Sequence, residues 1–501
     1  MPKIFNLLLV AMLLQATASR AAIWPKEKPK LVVMIVIDQF RADYLSRFQR
    51  KFRKDGFLAL MNTGAYFPYG EYDVLQSMTG PGHATVLTGA YPYQSGVPLN
   101  DWYDRKSDAS IYCVEDSRFK TVGAPTKEHI GTSPRNLIAT TVGDEMKNAG
   151  MNSRVVSVAL KDRAAILMGG HRADLALWLD GDAKRWVSSE YYLKDGKLPK
   201  WIEDLNSRTQ ADKCVRYEPC GTEMTVGAFK ALVENFKLGQ GKDTDLIAVS
   251  FSSHDHAGHK YGPNSPELEA MTLSEDKAIS EIRSTLQKSI PGGLSKVVFV
   301  LTGDHGVSPT PDYLAAAGIE TGRLDQAQLV QEMENRLEKA FGKLPNGKWI
   351  GEVLDLNFYL SEAASSNPKI DLVKAETIMK SVLLERPEVA QAFTRHEHEE
   401  RKLPPGQFER QINKTFYRGR SGDVVAIQKP FFITVSQNKA DHMTGYNYDR
   451  TVPILFSGFG IANGTFADKA EVVDIAPTLS FLLGLVPPAL SEGKVLKQAL
   501  K

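Results

Sequence analysis

Four apolar, β-branched runs constrain this chain more than any other feature, because each one stops at residues able to do chemistry. Leu31–Ile37 ends at Asp38, Arg154–Leu160 ends at Lys161, Leu246–Phe251 runs into His254 and Asp255, and Val297–Leu301 ends just before Asp304. Strands that are apolar along their whole length, with helical segments between them, predict an α/β fold whose mostly parallel central sheet is covered by helices on both faces. In such sheets a site forms at the carboxyl ends of the strands. The polar residues that follow the four runs therefore belong to one place.

Between the runs, Ser265-Pro266 opens a helix over 266–289 that puts Leu268, Met271, Ile279, Ile282 and Leu286 on one core-facing stripe. Past Gly306 the texture changes to charged amphipathic segments. Leu329, Met333, Leu337 and Phe341 recur every four residues, and a second helix falls near 370–384. These segments predict an inserted α+β subdomain over 308–428, dividing the catalytic domain into 22–307 and 429–501. The charge run Arg395–Lys402 and Pro404-Pro405-Gly406 read as a solvated loop.

Met1-Pro2-Lys3, the apolar run Ile4–Leu14 and the small residues after it read as a signal peptide over 1–21, cleaved after Ala18 or Ala21. A periplasmic or secreted protein is expected. No other run approaches about 18 apolar residues, so no stable membrane insertion is expected after cleavage. Export suits a bridge between Cys214 and Cys220, which are close enough to close a small loop, with Cys113 left over. With 61 basic against 59 acidic residues and a net charge of +2, nothing in the overall field points to nucleic acid as a partner.

Asp255 and His259 stand four residues apart, which on a helical turn aims both at one point and lets them grip one ion. Asp304-His305, between Gly303 and Gly306, is a second candidate pair; Asp38 and Asp441-His442 supply further oxygen and imidazole donors. Four such clusters without thiols fit two divalent ions of zinc character, since calcium or magnesium sites use fewer histidines. The segment Gln76–Thr85 offers Thr79 in a glycine-rich turn that opens a helix, where it is either a metal-activated nucleophile or an ordinary N-cap. Lys161 and Arg163 follow a strand, and alternation sends both to one side, where two cations suit a phosphoryl dianion.

Taken together, Ile37-Asp38, Thr79-Gly80-Pro81-Gly82-His83, Asn100-Asp101-Trp102-Tyr103, Lys161-x-Arg163, Asp255-x-x-x-His259, Thr302-Gly303-Asp304-His305-Gly306 and Asp441-His442 resemble the alkaline phosphatase superfamily. The likeness is to its bacterial PafA-type phosphatases with a threonine nucleophile, and it spans most of the chain. The resemblance implies an alkaline-phosphatase-like fold. It implies one zinc ion on Asp255, His259 and His442, and a second on Asp38, Asp304 and His305 beside Thr79. Asn100, Lys161 and Arg163 would hold the phosphate oxygens. It further implies double displacement through a phosphothreonine on Thr79, an alkaline optimum and a broad range of small phosphate monoesters. No counterpart of a third, magnesium site is visible. His83 and His171 are expected to be structural, and His256 to point away from the face shared by Asp255 and His259.

The rival reading is hydrolysis of phosphodiesters by a nucleotide pyrophosphatase-type enzyme, which shares the threonine and the metal ligands. Lys161-x-Arg163 argues against it, because a diester carries one charge less. A sulfatase is disfavoured further by Thr79, which cannot mature to formylglycine. A catalytically silent zinc-binding surface protein is disfavoured by the complete ligand set. A monomer is favoured.

Overall fold

The computed structural model describes residues 27–123, 131–345 and 347–501. The segment 1–21 read as a signal peptide, and His129, lie outside them. Leu31–Ile37 sits at the middle of an 11-stranded sheet and pairs in parallel on both edges, with Val297–Gly303 on one side and Asp245–Phe251 on the other. Val155–Ala159 and Leu175–Asp180 continue the parallel run beyond Asp245–Phe251. Antiparallel pairing continues both flanks, through Thr451–Gly458 and Gly64–Glu71 on one and Arg185–Ser189 and Thr121–Val122 on the other, and the short strands Gly464–Thr465 and Ala470–Glu471 pair in parallel with Gly64–Glu71.

Alternation along the central strand divides the core in two. Leu31, Val33, Ile35 and Ile37 pack with Phe229, Leu232, Ile279, Ile282 and Leu286 on one face. Val32, Met34 and Val36 pack with Val86, Leu87, Ile475 and Leu479 on the other. A strand with helices over both faces has no polar side, which is why these runs are apolar throughout. The helix Pro266–Ser289 forms with Ser265 as its N-cap, whose side chain accepts from the Leu268 N–H, and with proline at its first position.

Between Val297–Gly303 and Thr451–Gly458 in the sequence lies a second, four-stranded antiparallel sheet, ordered Ile350–Leu354, Asn357–Leu360, Val424–Gln428, Val389–Thr394. The helices Gln326–Phe341 and Leu372–Leu384 close over it, burying Leu329, Met333, Leu337, Met379 and Leu383 against Trp349, Phe358 and Leu360. A further strand, Phe432–Thr434, pairs in parallel with Gly322–Leu324. The run Arg395–Lys402 departs from the solvated loop expected of it. Arg395–Glu399 is a short helix with a capping box from Thr394 and Glu397, and Arg395 and His396 both bind the buried Glu376. Arg395 and His396 turn inward because Glu376 lies under them, whereas Glu399–Lys402 remain exposed.

Among the described residues no helix is long and apolar enough to cross a membrane. Cys214 and Cys220 form a disulfide and Cys113 is free and buried.

Leu301 is wholly buried in the sheet beside the central strand. Leu301→Ala should destabilise the protein by about 2–5 kcal/mol in denaturant unfolding, through lost burial and the cavity left behind.

Candidate metal centre and active site

Four neighbouring strands end at one level, since Ile37 is in register with both Gly303 and Phe251, and Ala159 with Ser250. The residues that follow are thereby delivered side by side: Asp304 and His305, then Asp38, then the helix Ser253–Tyr261 carrying Asp255 and His259, then Lys161. His442 comes in from the loop ahead of Thr451–Gly458, and Thr79 from the first turn of the helix Thr79–Thr88.

These residues form two groups whose ligand atoms all lie within 4.8 Å of one another: Asp255, His259 and His442, and Asp38, Asp304 and His305. The groups adjoin. The rings of His305 and His442 stack at 3.8 Å, and Lys161 Nζ spans them, at 2.5 Å from Asp38 Oδ2 and 2.7 Å from Asp255 Oδ2. His259 Nε2 lies 3.2 Å from Asp255 Oδ1, as a four-residue helical spacing requires.

Every donor is aimed by a second contact. The Nδ1 atoms of His259, His305 and His442 face the carbonyls of Ala440, Gly306 and Ser77 at 2.9, 2.9 and 2.6 Å, which turns each Nε2 toward its group. Asp304 Oδ1 accepts from the backbone N–H groups of Gln39 and His305, both at 2.9 Å. Left over in the second group are Asp38 Oδ1, Asp304 Oδ2 and His305 Nε2, one atom per residue, buried and without a hydrogen-bond partner. Buried unpaired polar atoms are costly, and three that converge with two carboxylates among them fit a divalent cation. Burial holds His305 below its usual pKa; burial together with the His305 and His259 rings holds His442 well below. Both are thus kept in the neutral form that ligates. Burial also works against a charged His259, but Asp255 and Asp441 outweigh it and raise this ring to about 9.

The Thr79 hydroxyl is not spent on capping. Met78 occupies the N-cap position, and the contact of Thr79 Oγ1 is Lys161 Nζ at 3.3 Å. Close approach of its helix to the sheet depends on Gly82, where a Cβ would meet the Asp304 carbonyl oxygen at 2.4 Å. His83 ties that helix down: Nε2 meets Ser250 Oγ at 2.8 Å, and Nδ1 meets the Thr79 carbonyl at 2.9 Å and lies 3.2 Å from Asp304 Oδ2. Asn100 Oδ1 accepts from the Gly80 N–H at 2.7 Å, which leaves its amide nitrogen to donate beside Thr79.

Lys161 and Arg163 do share one side, though strand alternation is not the cause, because a helix begins at Asp162 with Lys161 as its N-cap. Both line a cavity of about 440 Å³ with His256, whose ring burial holds down to about 3 and so keeps neutral. Arg163 is braced by Tyr112, whose hydroxyl accepts from Nη1 at 3.2 Å and donates to Asp162 at 2.6 Å. His171 is not part of the ligand groups.

Sequence reading did not reach Gln39, which holds a left-handed φ of 66° and whose Nε2 donates to Asp255 Oδ1 at 2.7 Å. Its signal was Gly258, since a Cβ there would lie 1.6 Å from Gln39 Oε1. Asp355 was missed as well. It occupies the turn between Ile350–Leu354 and Asn357–Leu360, and burial, with Asp441 and Asp101 near, raises its carboxyl to about 7.

The family model described as type I phosphodiesterase / nucleotide pyrophosphatase matches residues 32–450. Alkaline phosphatase PafA of Elizabethkingia meningoseptica is 29% identical, over 94% of this chain and 95% of that protein. Alkaline phosphatase PhoV of Synechococcus elongatus is 30% identical, over 95% of this chain and 93% of that one. The crystal structure of wild-type PafA superposes with a TM-score of 0.88 at 28% identity, covering 96% of this chain and all of that one.

Chelation should lower the Tm and a divalent metal should restore it, because an ion bound only by the folded state stabilises that state. His305→Ala should reduce the metal retained after dialysis by about half relative to the parent, measured by elemental analysis. Unchanged retention would refute the second ligand group.

Proposed function

This chain belongs to the type I phosphodiesterase / nucleotide pyrophosphatase family, and we propose that within it the chain is an exported, zinc-dependent phosphomonoesterase working through a phosphothreonine on Thr79. The observation that carries the reading is an uncommitted hydroxyl at a helix start, beside two groups able to hold a metal ion and the Lys161 ammonium, with Arg163 lining one cavity with Lys161. Relatives named alkaline phosphatases align over nearly the whole chain and support phosphoester hydrolysis.

Three imidazoles among six donors favour zinc over magnesium or calcium. Two such ions would supply Lewis acidity, lowering the hydroxyl pKa of Thr79 and stabilising the leaving oxygen on the opposite side of phosphorus. Asp255, His259 and His442 would hold the ion on the leaving-group side; Asp38, Asp304 and His305 would hold the one beside Thr79. Thr79 Oγ1 forms the new bond to phosphorus as the alcohol oxygen leaves in line, and water then hydrolyses the phosphothreonine, so configuration at phosphorus is retained. The amide nitrogen of Asn100 donates to a non-bridging oxygen. Arg163, held in place by Tyr112, takes the doubly charged end of the ester with Lys161.

Export is supported by the apolar segment Ile4–Leu14 and by the Cys214–Cys220 disulfide, which suits an oxidising compartment. A monomer acting on small esters is the working description. The diesterase alternative draws on the family's description, and the charge of the substrate separates the two.

The test is kcat/KM for p-nitrophenyl phosphate against its bis ester, in the parent and in Arg163→Ala. The parent should prefer the monoester. Removing Arg163 should cost that substrate at least roughly tenfold more than the diester, the loss of one charge-assisted contact. Equal losses would remove Arg163 from the dianion, and a preference for the bis ester would establish the diesterase reading instead.

A further inference from the structure

The mechanism above gives no part to the second sheet, yet the turn leading into its strand Val424–Gln428 reaches the segment that carries Asn100. Arg420 lies in that turn and is half-buried. Its Nη1 donates to the carbonyls of Gly96 and Asn136, to the latter at 2.7 Å. Its guanidinium lies over the Trp102 ring at 4.7 Å and the Tyr417 ring at 5.0 Å. Gly96 stands four residues before Asn100 and Trp102 two after it, so one guanidinium grips the chain on both sides of that residue. Arg420 is itself fixed from the second sheet, where the Tyr359 hydroxyl donates to its carbonyl at 2.8 Å. A second tie runs alongside: Arg105, just past the strand Asp101–Asp104, donates from Nη2 to the buried Asp423 at 2.6 Å.

We infer that Arg420 is a positioning residue for phosphate binding, which fixes the segment 96–102 from the second sheet and so aims the Asn100 amide at the phosphoryl oxygen. The inference rests on the phosphomonoesterase reading, in which that amide donates to a non-bridging oxygen. Among the described residues the Asn100 side chain is held by one hydrogen bond, from the Gly80 N–H to Oδ1 at 2.7 Å. The direction of its Nδ2 therefore depends on the backbone that carries it. Hydrogen bonds weaken steeply as donor and acceptor fall out of line, so a small shift of that backbone is felt at the phosphate. Arginine suits the task because its planar fork can serve two carbonyls while its faces lie on aromatic rings. Its action on the ester passes through Asn100, and that dependence separates positioning from general support of the fold.

The experiment is a double-mutant cycle on the metal-loaded protein with Arg420→Met, Asn100→Ala and the pair. It reads kcat/KM for p-nitrophenyl phosphate and, separately, the affinity for inorganic phosphate by calorimetry. Methionine keeps an apolar side chain beside Trp102 and Tyr417 and removes the donors, and an unchanged Tm checks the fold. Arg420→Met should lower both quantities by roughly tenfold while Asn100 is present, and by less than about twofold once it is gone. Arg420→Lys, which keeps the charge without the fork, should show a smaller loss with the same dependence on Asn100, and it carries the test if the methionine variant does not fold. An equal loss in both backgrounds, or no loss in either, overturns the role of Arg420. No turnover of the ester by the parent overturns the phosphomonoesterase reading instead, and the phosphate affinities then still decide whether Arg420 acts through Asn100.

Discussion

Three carboxylates, Asp38, Asp255 and Asp304, are buried within reach of one another, and their repulsion is the constraint the rest of the site answers. The sheet creates it, because parallel strands in register end at one level and set their next residues side by side. Lys161 Nζ bridges Asp38 and Asp255 and offsets one of the three charges. Two divalent cations would turn the remaining negative excess into a positive one of the same size, and a doubly charged phosphoryl group is its complement. Burial that is costly for the protein alone becomes a binding site once the ions and the substrate are counted.

The supporting contacts work to keep that arrangement still. Each imidazole of the two groups is turned by a backbone carbonyl, Asp304 is fixed by two N–H groups, and Gln39 links Asp304 to Asp255. Gly82 and His83 hold the Thr79 helix against the end of the sheet. Under the proposed function, preorganisation of this kind would let the hydroxyl meet phosphorus without moving the groups that would hold the ions.

Much of this was legible in the sequence, because it follows from local pattern. Strand runs, the four-residue spacing of Asp255 and His259 and the polar residues after each strand are short-range signals, and they singled out Asp38, Asp255, His259, Asp304 and His305, five of the six side chains that the fold gathers into two groups able to hold a metal ion; His442, in the loop ahead of Thr451–Gly458, lay outside these signals. Where the reading used the wrong local rule it still reached the right side of the molecule, as with Lys161 and Arg163, which face one cavity from the start of a helix. Residues whose role comes from contacts between distant segments were out of reach. Gln39 adopts a left-handed conformation that glutamine does not advertise, Tyr112 reaches Arg163 across 51 residues, and Asp355 comes to Gln76 across 279. The charged run at Arg395 misled for the same reason, since Glu376 beneath it is visible only in the folded chain.

The central claim is that Thr79, left uncommitted between the ligand groups and Lys161, is the atom that takes up the phosphoryl group. The most direct measurement is rapid acid quench of the metal-loaded protein during turnover of a labelled phosphate monoester, followed by peptide mapping. The account predicts label on the peptide containing Thr79, assigned to that residue by fragmentation, and none in Thr79→Ala. Label on another residue, or turnover by Thr79→Ala at the parent's rate, would contradict it.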